Sequence, residues 1–202
     1  MKKLIQLAIA LLSIPTTVWA GPRAAASGPL TFDMVVSAGG AVCAPYARAT
    51  VTITPVGPVE YMQVDVSGLP PNTEFDFFVI QVPVAPFGMS WYQGDIETNE
   101  YGQGSQTFIG RFNIETFTVA PGVAPAPVVF DDAPFPSADH NPATNPVQMY
   151  HLGLWFGSPE AAAAAGCVNT VTPFNGNHRA GIQVLNTRNF ADDQGPLQQL
   201  TP

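Results

Sequence analysis

Three stretches of the chain carry side chains able to do chemistry. In WYQGDIET, Trp91, Tyr92, Asp95 and Glu97 set an aromatic pair beside two carboxylates. In TPFNGNHRAG, His178 and Arg179 follow an Asn-Gly pair, a tight-turn signal that places them at the surface. In MYHLGLWFGSPEAAAAAGC, His151 lies among aromatics, ahead of five alanines and a cysteine. Two histidines and a carboxylate suit zinc or copper, which makes His151 and His178 candidate metal ligands. With Asp95 they are also the catalytic candidates for a hydrolytic or metal-dependent enzyme. Asp95 and Glu97, two residues apart on one strand face, could instead serve as a paired-carboxylate acid and base.

The surrounding pattern weighs against catalysis. There is no His-x-His or His-x-x-x-His pair to fix a metal. Strand alternation groups His151 with Val147, Met149 and Trp155, and Tyr150, Leu152, Leu154 and Phe156 with the opposite face. Both faces are apolar, which reads as a packed, hydrogen-bonded core histidine. Ser158 lacks the flanking glycines of a nucleophile elbow. Asp131, Asp132, Asp139, Asp192 and Asp193 lack the spacing of a calcium loop. The expectation is a protein without a catalytic group, metal or cofactor, in which Trp91, Tyr92, Asp95, Glu97 and Arg179 form a contact surface.

Those residues must be positioned by strands. Leu30, Phe32, Met34 and Val36 alternate with polar neighbours, as do Val51 with Ile53, and Met62 with Val64 and Val66. EFDFFVIQV is apolar on both faces in its middle and reads as a central strand. Trp91 to Thr98 and Ser105 to Val119 follow. In the latter, Phe108, Phe112 and Ile114 share one parity, while Phe117 and Val119 share the other. A bulge or bend near Glu115-Thr116 is therefore expected. Pro121 to Pro146 holds seven prolines and reads as a long surface loop with a short strand at PVVF. Val147 to Phe156 and Ala180 to Arg188 complete the strands. Ser158-Pro159-Glu160 starts a short helix near 158–166, with Ser as N-cap, Pro at the first helical position and Gly166 as the stop. The pattern is all-β: an antiparallel β-sandwich or closely related barrel, one domain over 21–202.

VSGLPPNTEFDFFVI, Val66 to Ile80, resembles the Leu-x-Pro-x-Thr-x-aromatic corner of fibronectin type III and immunoglobulin-like secreted sandwiches. Leu69, Pro71, Thr73 and Phe75 occupy the matching places. The resemblance covers about 15 residues. It implies a sandwich fold and no particular activity. Phe75 stands where the family usually has Tyr, whose hydroxyl would bond back to the corner.

Composition bounds the remaining choices. Lys2 and Lys3, the apolar run Leu4 to Leu12 and the small-residue site Val18-Trp19-Ala20 read as a secretory signal peptide over 1–20. The run is too short for a membrane span. Both lysines lie in this leader, so a chain starting at Gly21 carries five arginines against fifteen acids, a net charge of −10. That surface excludes nucleic acid and anionic membrane as partners, and no lysine remains for Schiff-base chemistry. In an exported chain, two cysteines predict one disulfide, Cys43 to Cys167. The expected product is a secreted monomer or small oligomer that binds an extracellular glycan, a protein or itself.

Overall fold

A computed structural model describes residues 28–118, 130–132, 135–137, 147–175 and 178–201, with the side chains of 130–132, 135–137, 173–175 and 178 outside the description. The stretch 1–20 expected to be a signal peptide, residues 21–27 and most of the proline-rich segment lie outside the described residues. The strands are β1 (Leu30–Val36), β2 (Arg48–Val56), β3 (Val59–Ser67), β4 (Glu74–Ile80), β5 (Ser90–Glu97), β6 (Gly104–Gly110) and β7 (Phe117–Thr118). After β8 (Phe130–Asp132) and β9 (Phe135–Ser137) come β10 (Val147–Gln148), β11 (His151–Phe156) and α1 (Pro159–Ala164). The chain closes with β12 (Thr172–Asn175), β13 (His178–Ala180) and β14 (Gln183–Asn186).

Eight of these strands form one antiparallel sheet in the order β5-β4-β11-β14-β1-β2-β3-β6. β1 is its corner. Leu30 to Met34 pair with β2, whereas Val35 and Val36 pair with β14, so the strand passes from one half of the sheet to the other. The sheet curls until its two terminal strands, β5 and β6, are joined by the turn at 98–103. This is an all-β, near-barrel arrangement, and the barrel alternative read from the sequence describes it best.

Alternation works as expected on both halves. Phe32, Met34, Val51, Ile53, Met62 and Val64 point inward from one half; Phe75, Phe77, Val79, Leu152, Leu154 and Phe156 do so from the other. Phe77 and Phe108 stack across the interior with ring centroids 5.1 Å apart. Each such side chain contributes about 1.5–3 kcal/mol on leaving water. A smaller cluster of Phe78, Ile80, Trp155 and Ala180, with Phe87, covers the outer face of β4 and β11. β4 is thus buried on both faces, as its unbroken apolar run predicts.

The corner at Val66–Ile80 behaves as its residues require. Leu69 is buried in the main core, and Gly68 takes φ +70°. The Thr98 hydroxyl donates to Pro70 O and accepts from Thr73 N–H, tying the corner to the end of β5. The helix starts at the expected cap, where Ser158 Oγ accepts from Ala161 N–H at 3.1 Å, and Gly166 follows it at φ +81°. Cys43 and Cys167 are bonded, joining the segment after β1 to the end of α1 across 124 residues.

Two strands expected to be continuous are broken. The stretch from Val147 splits into β10, which pairs with β7, and β11, which pairs with β4 and β14; Met149 between them packs in the main core rather than beside His151. The stretch from Ala180 likewise divides at Gly181-Ile182, where both residues bond to Phe156. Near Glu115 the expected bend is a full turn that ends β6 at Gly110. Its cause is Glu60, a buried carboxylate that accepts from Phe112 N–H at 2.8 Å and Asn113 Nδ2 at 2.9 Å, with Arg111 at 3.4 Å.

Candidate functional site

The residues of WYQGDIET divide between the two faces of β5. Tyr92 lies opposite Phe78, Asp95 opposite Asp76 and Glu97 opposite Glu74, so all three share the outer face. In a regular strand residues 92 and 95 would point to opposite sides. An extra residue at the register shift beside Phe77/Phe78 aligns them, and Gly94 takes φ +146° there. Trp91, opposite Val79, falls on the inner side at the end where the curled sheet is open.

On the outer face, carboxylate oxygens of Glu74, Asp76 and Asp95 lie within 4.8 Å of one another. Asp76 is fully buried; the other two are exposed. Tyr92 Oη donates to Asp95 Oδ1 at 2.5 Å. Burial, then the bond to Asp95, then the charges of Asp95, Asp76 and Glu74 push the Tyr92 phenol far above its usual range. Like charges facing one another across strands repel, and an all-oxygen trio of this kind has the donor chemistry of a hard divalent cation. Glu97 stands outside the trio. The sequence pointed to Asp95 and missed Glu74 and Asp76, whose contribution depends on the β4–β5 register.

β5 and β6, the two terminal strands, are not hydrogen-bonded to each other, and the sheet is left unclosed there. A cleft of about 350 Å³ opens there, floored by Val79 and Met149 of the core. Trp91, Ile109 and Phe117 line it while remaining 56 %, 61 % and 51 % exposed. Gln93 and the Arg111–Glu115 ion pair, 3.0 Å apart, supply its polar wall. Exposed apolar groups gathered over a cleft mark a contact surface more clearly than the same residues scattered singly.

His151 belongs to neither feature. It is fully buried. Nε2 lies 3.1 Å from the carbonyl oxygens of both Ala191 and Asp192, and Nδ1 lies 2.9 Å from Thr187 Oγ1. Two carbonyls assign the proton to Nε2 and leave Nδ1 to accept from the hydroxyl. Burial lowers the imidazole pKa, against the opposing pull of the Asp192 and Ala191 carbonyls. Along β4, His151 is opposite Ile80 and Asp95 opposite Asp76, about 13 Å apart at 3.3 Å per residue. Gly181, just past β13, bonds to Phe156, about 17 Å along β11 from His151. The described geometry thus separates His151 from Asp95. Arg179 is exposed on β13, and its neighbour Ala180 packs on Trp155 and Phe78.

No family model and no curated protein sequence matches the chain. The resemblance of Val66 to Ile80 to a fibronectin type III corner therefore has no support beyond those residues. Among the described residues no helix is long and apolar enough to cross a membrane.

Proposed function

We propose that the chain is an exported, non-catalytic binding module that holds an extracellular glycan or protein in the cleft between β5 and β6. The observation that carries this reading is the exposed trio Trp91, Ile109 and Phe117 over an opening to the core. An indole and a phenyl ring present flat apolar faces at low entropy cost, and Gln93 and Arg111 add hydrogen-bonding groups beside them. The disulfide and the leader at 1–20 support an oxidising, extracytoplasmic destination. β1 is paired on both sides and its following segment is bonded to Cys167, which supports a monomer or small oligomer over a fibre.

The test is binding of the exported protein to arrays of immobilised polysaccharides and extended peptides, alongside a Trp91→Ala, Ile109→Ser variant. Both positions are exposed, so the variant keeps its fold. Loss of binding in the variant supports the reading; undiminished binding removes it.

One observation favours a second reading, a secreted metal-dependent hydrolase: the Glu74, Asp76 and Asp95 cluster. Metal analysis of the purified protein together with a broad hydrolase screen addresses it. Stoichiometric metal whose removal abolishes turnover would place function on the outer face.

A further inference from the structure

A second cavity lies on the outer face of the β11–β14 half, away from the cleft. It has a volume of about 270 Å³ and opens between the β4–β5 connection, the segment at 170–172 and the end of β14. Phe87, Val84, Ile182 and Trp155 give it mainly apolar walls. Its floor is rigid because its polar groups are already engaged. Gln183 Nε2 donates to Pro83 O, Gln183 Oε1 accepts from Asn186 Nδ2, and Ser37 Oγ donates to Gln183 O. Thr172 Oγ1 is likewise committed, to Gly181 O.

Two of the lining residues carry side-chain donors that are not engaged. The Trp155 indole N–H is buried and has no hydrogen-bond partner among the described residues. The Arg188 side chain is exposed, and its guanidinium makes no ion pair or hydrogen bond among the described residues. A buried donor left without an acceptor is costly, and native structures rarely tolerate one without a reason. No acid is found among the described residues that line the cavity, although the whole chain carries a net charge of −8. The local sign is therefore opposite to that of the molecule. Two free donors, one of them a cation, in an apolar hollow without acids call for an oxygen anion attached to an apolar body. At the roughly 30 Å³ that one water takes in the liquid, the space holds about nine non-hydrogen atoms.

We propose that this cavity binds a small carboxylate with an apolar body, of the size of benzoate or phenylacetate, with its oxygens meeting the Arg188 guanidinium and the Trp155 indole N–H. Phe87 and Ile182 enclose the body. The site is independent of the β5–β6 cleft and stands or falls without it.

The experiment follows the indole N–H signals of the ¹⁵N-labelled exported protein as benzoate or phenylacetate is added, with Trp91 assigned through Trp91→Phe. A saturable displacement of the Trp155 signal is expected with either acid. Arg188→Gln, at an exposed position, should weaken it by at least about tenfold, the scale of one lost charge-assisted contact. Benzamide, which keeps the ring and lacks the charge, should bind correspondingly weakly, and benzylamine not at all. The proposal is overturned if neither acid moves the Trp155 signal, if Arg188→Gln binds as well as the parent, or if benzamide matches benzoate.

Discussion

Replacing His151 separates a structural histidine from a chemical one. His151→Leu preserves bulk but leaves the carbonyls of Ala191 and Asp192 without their donor, and Thr187 Oγ1 without its acceptor. Thr187 Oγ1 keeps its bond from Leu152 N–H, so the hydroxyl is only partly stranded. With residues 191 and 192 themselves exposed, water can reach the freed carbonyls once the segment loosens. The expected loss is therefore about 2 kcal/mol, within the range of a single stranded buried group. His151→Gln retains an amide donor for the same carbonyls and should lose less. The pH dependence is more specific. Burial holds the folded imidazole below its ordinary value of 6.5. As pH falls through 6.5 the unfolded chain takes up a proton that the folded chain refuses, so stability falls with pH, by at most about 1.4 kcal/mol per unit from this group. Urea unfolding between neutral pH and the top of the carboxylate range should show this slope in the parent and a shallower one in His151→Gln. His140 and His178 are common to both proteins and cancel in the difference. Equal slopes in the two, or an unchanged urea midpoint in His151→Leu, would refute the assignment.

Removing the disulfide by Cys43→Ala, Cys167→Ala should cost about 4–5 kcal/mol in urea unfolding, since the bond closes a loop of 124 residues; a non-reduced digest should contain the linked peptides, and two alkylatable thiols in the native protein would contradict this. Glu60→Leu should destabilise by about 2–3 kcal/mol, because it leaves Phe112 N–H and Asn113 Nδ2 buried without an acceptor, whereas Glu60→Gln should cost less; thermal unfolding ranks the two. Gly94→Val should cost about 1–3 kcal/mol, since φ +146° is foreign to a β-branched residue and its Cβ would lie 3.0 Å from the Phe108 ring; a melting temperature equal to the parent's would show that the bulge does not need glycine.

Much of the fold was legible because alternation is a local property. Phe32 with Met34, Met62 with Val64, and the two-sided run of β4 declare their faces within a few residues. The helix was readable from Ser158, Pro159 and Gly166, and the disulfide from a count of two. The sequence reading treated β3 as half polar, yet Glu60 shares the parity of Met62, Val64 and Val66, a signal that it points inward. Asp76 shares that of Phe78 and Ile80 in the same way. The breaks at Met149 and Gly181 were hidden because apolar runs continue through them, and pairing partners far along the chain decide where they stop. That Trp91 parts from Asp95 and Glu97 while Tyr92 joins them was also out of reach, since it depends on a bulge whose position is set by the β4 register. The cleft exists only because the curled sheet leaves β5 and β6 apart, a property of closure that no single segment carries.

The central claim is that Trp91 and its neighbours hold a ligand without transforming it. The direct measurement is an equilibrium titration of the strongest array ligand against Trp91 emission, followed by mass spectrometry of the recovered ligand. The account predicts a saturable blue shift as the exposed indole is covered, at least about tenfold weaker binding in Ile109→Ser, and a ligand recovered intact. A ligand recovered cleaved or modified, or a titration unaffected by Ile109→Ser, would contradict it.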